Sequence, residues 1–270
     1  MEKRRPEIIF STLTGIVMLI FMLAFLTDRD FFQFEVNIFG NPLGMGFSSM
    51  ELLIPLAAII IDLGMYQTLR YHLPVSDEQI GLHLFLPFAV TLTIGFTLRN
   101  IRGGLTGWGL LFLTGVLLYL VLRFEFIACD PASSLRPVSI IVLDGLCYAI
   151  FLLFIIALRA NVSPLVITLP AIFILCTVIS LKIYSAHIIN GQILRLTVVT
   201  GFVMLFAGVG LHYWPIHIVS YGSLMFIWYY AFINLVIGSD HHDPFWTMIR
   251  RILPVVIPAL FVTGYAVLYF

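Results

Sequence analysis

The sequence predicts an all-α membrane protein, a polytopic bundle of about nine transmembrane helices, with eight as the alternative count. The chain of 270 residues is 61% hydrophobic and 10% charged, whereas soluble domains are about 25% charged and about half apolar. Its mean hydropathy is +1.07. The apolar residues form long blocks such as residues 8–26 and 104–122. At a rise of about 1.5 Å per residue, these blocks are long enough to cross a hydrocarbon core of about 30 Å.

Backbone groups in lipid must be hydrogen-bonded within the protein, so each apolar block is predicted to be a helix. The nine predicted helices cover residues 8–26, 50–69, 80–98, 104–122, 138–158, 165–183, 193–213, 216–237 and 252–270. Because the connections are short, residues 1–270 are predicted to form a single transmembrane helical domain.

The first block follows a basic segment, residues 1–6, that resembles the start of a signal peptide. The block is longer than the apolar region of such a peptide, and residues 26–29 offer no small-residue cleavage site. We therefore interpret it as a retained first helix.

The segment 27–49 between the first two helices contains a strict alternation of apolar and polar residues at 32–38, followed by Gly-Asn-Pro turn chemistry. A short amphipathic strand on the outer surface is one interpretation. An aromatic-rich loop at the membrane interface is the favoured one.

Two boundaries near the C-terminus depend on proline. Pro215 is expected to start helix eight after a tight turn, with aromatic residues at the interface. Asp243 is predicted to cap a short interfacial helix, residues 244–251, that leads into helix nine.

Orientation follows from lysine and arginine, which favour cytoplasmic connections. With the N-terminus inside, ten of the 14 basic residues fall on the cytoplasmic side and four on the other. This distribution predicts a multi-pass protein of the cell membrane with the N-terminus inside and the C-terminus outside. If one middle helix were absent, the basic residues after it would change sides and the cytoplasmic excess would be lost. The distribution therefore favours nine helices over eight.

A weak internal repeat relates residues 50–122 to residues 138–213. Leu86–Pro87 recurs as Leu169–Pro170, 83 positions later. Each copy would hold three helices, so the copies would have opposite orientations, as in many secondary transporters. Chance offsets between evenly sized helices are the favoured explanation.

Asp62 is the first candidate ion-binding residue, because an ionisable group in the membrane interior costs several kcal/mol. Glu51, Pro55, Asp62 and Tyr66 fall on one face of the predicted second helix. This face could hold a proton or a cation. The alternative is that Asp62 hydrogen-bonds a neighbouring helix or Tyr66 and only fixes packing.

Asp144 is the second candidate, about two turns into the fifth helix and next to Gly145, which allows close approach of another backbone. Its alternative role is a structural one, because a residue so near the membrane surface can reach headgroup water.

Helix eight offers a stripe of His217, Tyr221, Leu224 and Trp228 at spacings of four, three and four, with Asn234 deeper. The stripe could line a path for a ligand. The favoured interpretation is an aromatic belt with helix contacts.

Neither a metal nor a cofactor is predicted. The loop Asp240–Asp243 contains two adjacent histidines, which point in different directions, and no third ligand stands at helical spacing. His72, His83, His187 and His212 form no pair at matching depth for a haem.

The expected partner is the lipid bilayer, with other membrane subunits as an alternative. The zero net charge, from 14 basic and 14 acidic residues, argues against nucleic acid.

The function predicted best is transport of a small molecule or ion by a permease-like protein with an intramembrane carboxylate. A non-catalytic subunit or scaffold is one alternative, and a membrane-embedded lipid-modifying enzyme is the other. The sequence contains no HExxH, GxSxG or Walker A motif. These absences favour a function other than catalysis.

Overall fold

The computed structural model describes residues 6–27, 30–38, 41–73, 77–100, 104–161, 165–188, 191–214, 216–241 and 244–269. Within these ranges the chain forms nine helices and one two-stranded hairpin. The helices are α1 Pro6–Leu26, α2 Ser49–His72, α3 Asp77–Asn100, α4 Gly104–Cys129, α5 Arg136–Asn161, α6 Leu165–His187, α7 Ile193–His212, α8 Ile218–Asp240 and α9 Phe245–Tyr269. The strands are β1 Asp30–Ile38 and β2 Asn41–Ser48.

The predicted all-α membrane class is confirmed, because the described part of the chain consists mainly of long apolar helices. In the part of the chain that the structure describes, eight helices are long and apolar enough to cross a membrane. The remaining helix is α3, whose apolar stretch over the described residues, Ile80–Gly95, is shorter. A ninth crossing, through α3, stays a prediction.

The connection between α1 and α2 is a β-hairpin rather than the favoured loop, which was wrong. β1 and β2 pair antiparallel, with Phe34 opposite Met45 and Ile38 opposite Asn41. The alternation at residues 32–38 is the period of an extended strand, and a second strand supplies the backbone partners that an isolated strand would lack.

α9 corrects a second expectation. Residues 245–251 are continuous with the rest of α9 and do not form a separate interfacial helix. The segment contains neither glycine nor proline, so nothing in it ends the helix. The side chain of Asp243 lies outside the described residues, and the backbone carbonyl of Pro244 accepts from the N–H of Thr247 at 2.8 Å. The predicted division between α7 and α8 is confirmed, since α7 ends at His212 and α8 begins at Ile218. Pro215, which was expected to start α8, lies outside the described residues, and the N-cap of α8 is His217.

The chain divides into two compact units. The N-terminal unit, Met1–Leu143, holds α1 to α4, in which α1 packs against α2 and α4, and α3 packs against both α2 and α4. Its core includes Val17, Ile61, Met65 and Leu118, all fully buried. A Cβ atom at Gly64 would collide with Leu13, so the backbone of α2 lies directly against α1 at this position.

The C-terminal unit, Asp144–Phe270, holds most of α5 and all of α6 to α9. α6 packs against α7, α7 against α8, and α8 against α9. The largest fully buried side chains of this unit are aromatic, and three of them carry a hydroxyl group: Tyr184, Tyr221 and Tyr229. A buried hydroxyl favours a hydrogen-bond partner. The hydroxyls of Tyr184 and Tyr229 each have one, whereas that of Tyr221 has none among the described residues.

Candidate functional site

A short polar contact of the C-terminal unit joins Asp144 on α5 to His187 on α6. Oδ2 of the carboxyl group lies 2.6 Å from Nε2 of the imidazole, and the side chains are 19% and 31% exposed. At this distance the two groups form a short hydrogen bond. His187 is also the last residue of α6, so the contact lies at the end of this membrane-spanning helix.

Helical spacing places further polar side chains on the same faces as this pair. Tyr148 follows Asp144 by one turn of α5, and Tyr184 and Ser180 precede His187 by three and seven residues of α6. At about 1.5 Å per residue, Ser180 lies about 10 Å deeper along the axis than His187. The two helices therefore carry polar groups from a half-buried end into the membrane-spanning interior.

Two hydrogen bonds between hydroxyl groups lie at the inner end of these faces. The hydroxyls of Ser180 and Tyr229 are 3.0 Å apart, and those of Tyr184 and Thr200 are 2.9 Å apart. Thr200 donates to the backbone carbonyl of Leu196 at 2.8 Å, so Tyr184 is the donor to Thr200. Ser180, Tyr184, Thr200 and Tyr229 are buried, and their hydroxyls hydrogen-bond one another in pairs.

Aromatic contacts connect α5 to α8 beside these hydroxyls. The ring of Phe151 stacks on Tyr229 with centroids 4.1 Å apart, and Tyr148 meets Tyr229 and Tyr230 edge-on at 6.1 and 5.0 Å. We define the polar stripe as six polar side chains on α5, α6 and α8. Its members are Asp144, Tyr148, Ser180, Tyr184, His187 and Tyr229.

A second ion pair stands in the N-terminal unit. Nδ1 of His83 on α3 lies 2.6 Å from Oε2 of Glu125 on α4. The carboxyl side chain is fully buried and the imidazole is 22% exposed. A buried carboxylate is expensive in a membrane protein unless a partner of this kind compensates its charge.

Asp62 lies on α2, and its Oδ1 atom is buried without a hydrogen-bond partner among the described residues. The hydroxyl of Tyr66, one turn later, accepts from Arg70 at 3.1 Å. The backbone of Glu51 is in α2, but its side chain lies outside the described residues. On the predicted face of this helix, Asp62 therefore has an oxygen atom that can take up a proton or a cation.

The residues predicted on helix eight take different positions. His217 is the N-cap of α8, where Nδ1 accepts from the N–H of Val219, and Tyr221 is buried with the Arg159 guanidinium 5.1 Å from its ring centre. Trp228 is 59% exposed, as a residue of an aromatic belt would be. Asn234 donates to the carbonyl of Tyr230 within the helix at 2.8 Å.

Among the described residues, no group of three or more histidine, cysteine, aspartate or glutamate side chains is placed to hold a metal ion. His242 and Asp243 of the predicted loop lie outside the described residues.

The sequence predicted Asp144 as a candidate but not His187 as its partner, and it did not indicate the separate pair of His83 and Glu125. A usable signal exists, because two antiparallel neighbouring helices bring together residues that are about equally far from their connection. Seventeen positions separate Asp144 from Asn161, the last residue of α5, and 22 separate His187 from Leu165, the first of α6.

The family model described as "Protein of unknown function (DUF5656)" matches residues 31–267 of the chain. No curated protein and no solved structure matches it. The family description names no activity, so the geometry above is the basis for a function.

Proposed function

We propose that this chain, which belongs to the DUF5656 family, is a transporter that moves protons across a membrane, with the Asp144–His187 pair at the mouth of the path. The observation that carries the proposal is the 2.6 Å contact of this pair at the half-buried end of the polar stripe. Ionisable residues within membrane helices are rare and costly, and they mark ion paths and proton relays.

The pair has the chemistry of a proton-exchange site. Both side chains are partly exposed, so water can deliver a proton to them. Histidine changes its charge near neutral pH, and its second ring nitrogen, Nδ1, is a separate atom through which a proton enters or leaves. The first ring nitrogen, Nε2, is held at 2.6 Å by the carboxyl group of Asp144.

The rest of the stripe offers groups that both donate and accept. A hydroxyl can accept one proton and release another, whereas a backbone carbonyl only accepts. Ser180 and Tyr229 share such a hydroxyl pair at 3.0 Å in the buried part of the stripe. Asp62, with a buried oxygen that has no partner among the described residues, is a second carboxylate for the same chemistry in the N-terminal unit.

The predicted orientation gives the path a direction. With the N-terminus inside, α5 starts at the cytoplasmic side and α6 returns to it, so Asp144 and His187 face the cytoplasm. We accordingly propose a cell-membrane location with protons exchanged at the cytoplasmic end.

Proton movement can be measured directly. The purified protein is reconstituted into vesicles that contain a pH-sensitive dye, and a potassium gradient with valinomycin drives protons inward. We expect faster acidification than in protein-free vesicles. Equal rates in both would contradict proton transport.

A lipid-modifying enzyme is the second candidate, because Asp144 and His187 are two convergent polar groups that could act as a general base. Incubating the same protein with radiolabelled membrane phospholipids separates the two functions. Conversion of lipid without proton uptake would favour the enzyme. If the protein shows neither lipid conversion nor proton uptake, the scaffold is the better account.

A further inference from the structure

A surface groove runs between α1 and α2 of the N-terminal unit, away from the polar stripe residues. It has a volume of about 1240 Å³, which exceeds the range of about 300 to 1,000 Å³ typical of small-ligand pockets. Ile9 and Leu13 line it from α1, and Leu63, Tyr66, Gln67 and Arg70 line it from α2. We propose that this groove binds one anionic phospholipid, with its headgroup at Arg70.

The groove changes from apolar to polar along the axis of α2. Leu63 is seven residues before Arg70, which places it about 10 Å deeper at about 1.5 Å per residue. Arg70 lies two residues before the last residue of α2, at the end of a membrane-spanning segment. An apolar floor with a cationic end at the membrane surface has the polarity of a phospholipid, acyl chain inward and phosphate outward.

The charge of Arg70 accounts for a preference for anionic lipid. Its guanidinium donates to the hydroxyl of Tyr66 at 3.1 Å and lies 5.8 Å from that ring. Over the described residues, no carboxylate forms an ion pair with Arg70, whereas Arg123 lies 3.9 Å from Glu7. A phosphate at this position would supply the missing opposite charge with bidentate geometry.

The floor of the groove is fixed by close packing. The backbone of α2 at Gly64 lies against the side chain of Leu13, which is itself buried. Leu63, next to Gly64, is 57% exposed on the open side. The acyl chain would therefore lie against Ile9 and Leu63, on a surface that exists without any rearrangement of the helices.

The test is equilibrium binding of fluorescent phosphatidylglycerol and phosphatidylcholine to the full chain in neutral detergent. Arg70→Gln is expected to weaken binding of phosphatidylglycerol about fivefold, because a basic residue near an anionic membrane contributes about 1 kcal/mol. Binding of phosphatidylcholine, whose phosphate charge is offset by its own choline cation, should weaken less than binding of phosphatidylglycerol. Arg123→Gln, in which the lost charge was already paired with Glu7, is the matched control and should bind both lipids as the wild type does.

Two further measurements keep the result decisive. Leu63→Trp narrows the groove from its exposed side and should weaken binding of both lipids. Inorganic phosphate at the same concentration should not displace phosphatidylglycerol. Equal affinity of wild type and Arg70→Gln for phosphatidylglycerol would overturn the proposal, and displacement by phosphate would show an ion site rather than a lipid site.

Discussion

Nε2 of His187 lies 2.6 Å from Oδ2 of Asp144, and the two residues come from successive helices, 43 positions apart in sequence. The contact stands at the half-buried end of a stripe in which Ser180, Tyr184 and Tyr229 are fully buried. Charge at the outer end and paired hydroxyls at the inner end form the arrangement from which proton transport is inferred.

Removal of the Tyr229 hydroxyl tests the inner end of the stripe. Tyr229→Phe keeps the ring that stacks on Phe151 but removes the group that contacts Ser180 at 3.0 Å. We expect a severalfold slower acidification of dye-loaded vesicles and a loss of about 0.6 kcal/mol in the free energy of unfolding, the average for such bonds between membrane helices. Tyr213→Phe, at a residue 76% exposed, is the control and should change neither. An unchanged rate in Tyr229→Phe would remove this hydroxyl from the path.

Asp62 offers a second test of the carboxylate chemistry. Asp62→Asn keeps the shape of the side chain and removes its charge, so folding should stay intact while proton-coupled uptake is abolished. Folding should stay intact because the buried Oδ1 of Asp62 has no hydrogen-bond partner among the described residues that the change would remove. Uptake and thermal unfolding are measured on the same preparation. Full activity of the variant would show that Asp62 is not the coupling site.

The His83–Glu125 pair predicts an effect on stability. His83→Ala takes the imidazole away from a carboxylate whose side chain is fully buried. Breaking a buried pair in this way costs about 3 kcal/mol, which a denaturant titration of the purified protein can detect. His241→Ala, at an exposed histidine that follows α8, serves as the control. A loss no larger than that of the control would mean that the pair contributes little to folding.

The orientation of the termini tests whether α3 crosses the membrane. With nine crossings the N-terminus is inside and the C-terminus outside, whereas eight crossings return the C-terminus to the cytoplasm. We expect alkaline phosphatase fused after Phe270 to be active and green fluorescent protein at the same place to be dark. The opposite pattern would show that α3, with its shorter described apolar stretch Ile80–Gly95, does not span.

The positions of the helices were predictable, because long apolar blocks leave the backbone one way to satisfy its hydrogen bonds in lipid. Asp144 was predictable as a candidate for the same reason, since its charge is costly there. The identity of its partner was only partly predictable, because His187 is one of seven histidines and lies 22 positions from the start of α6, against 17 positions from Asp144 to the end of α5.

Two misjudged segments show how local signals compete. Residues 32–38 alternate as a strand does, but their aromatic side chains favoured the prediction of an interfacial loop. A second strand pairs with this segment, so it forms a hairpin instead. Asp243 and Pro244 indicated the start of a short helix ahead of helix nine, whereas nothing between Phe245 and Leu253 interrupts α9. The functional role of every predicted site residue, and the repeat between residues 50–122 and 138–213, stay predictions.

The most direct test of the account is the initial rate of proton uptake by vesicles that contain the wild type, Asp144→Asn or Asp130→Asn. Asp130 is the matched control, because it lies in the connection before α5 and its carboxylate accepts from the N–H of Ala132. We predict a rate for Asp144→Asn slower than wild type on the order of a hundredfold, the lower end of what a positioned proton-transfer group contributes, and a wild-type rate for Asp130→Asn. Equal rates for all three proteins would contradict a proton path that begins at Asp144 and His187.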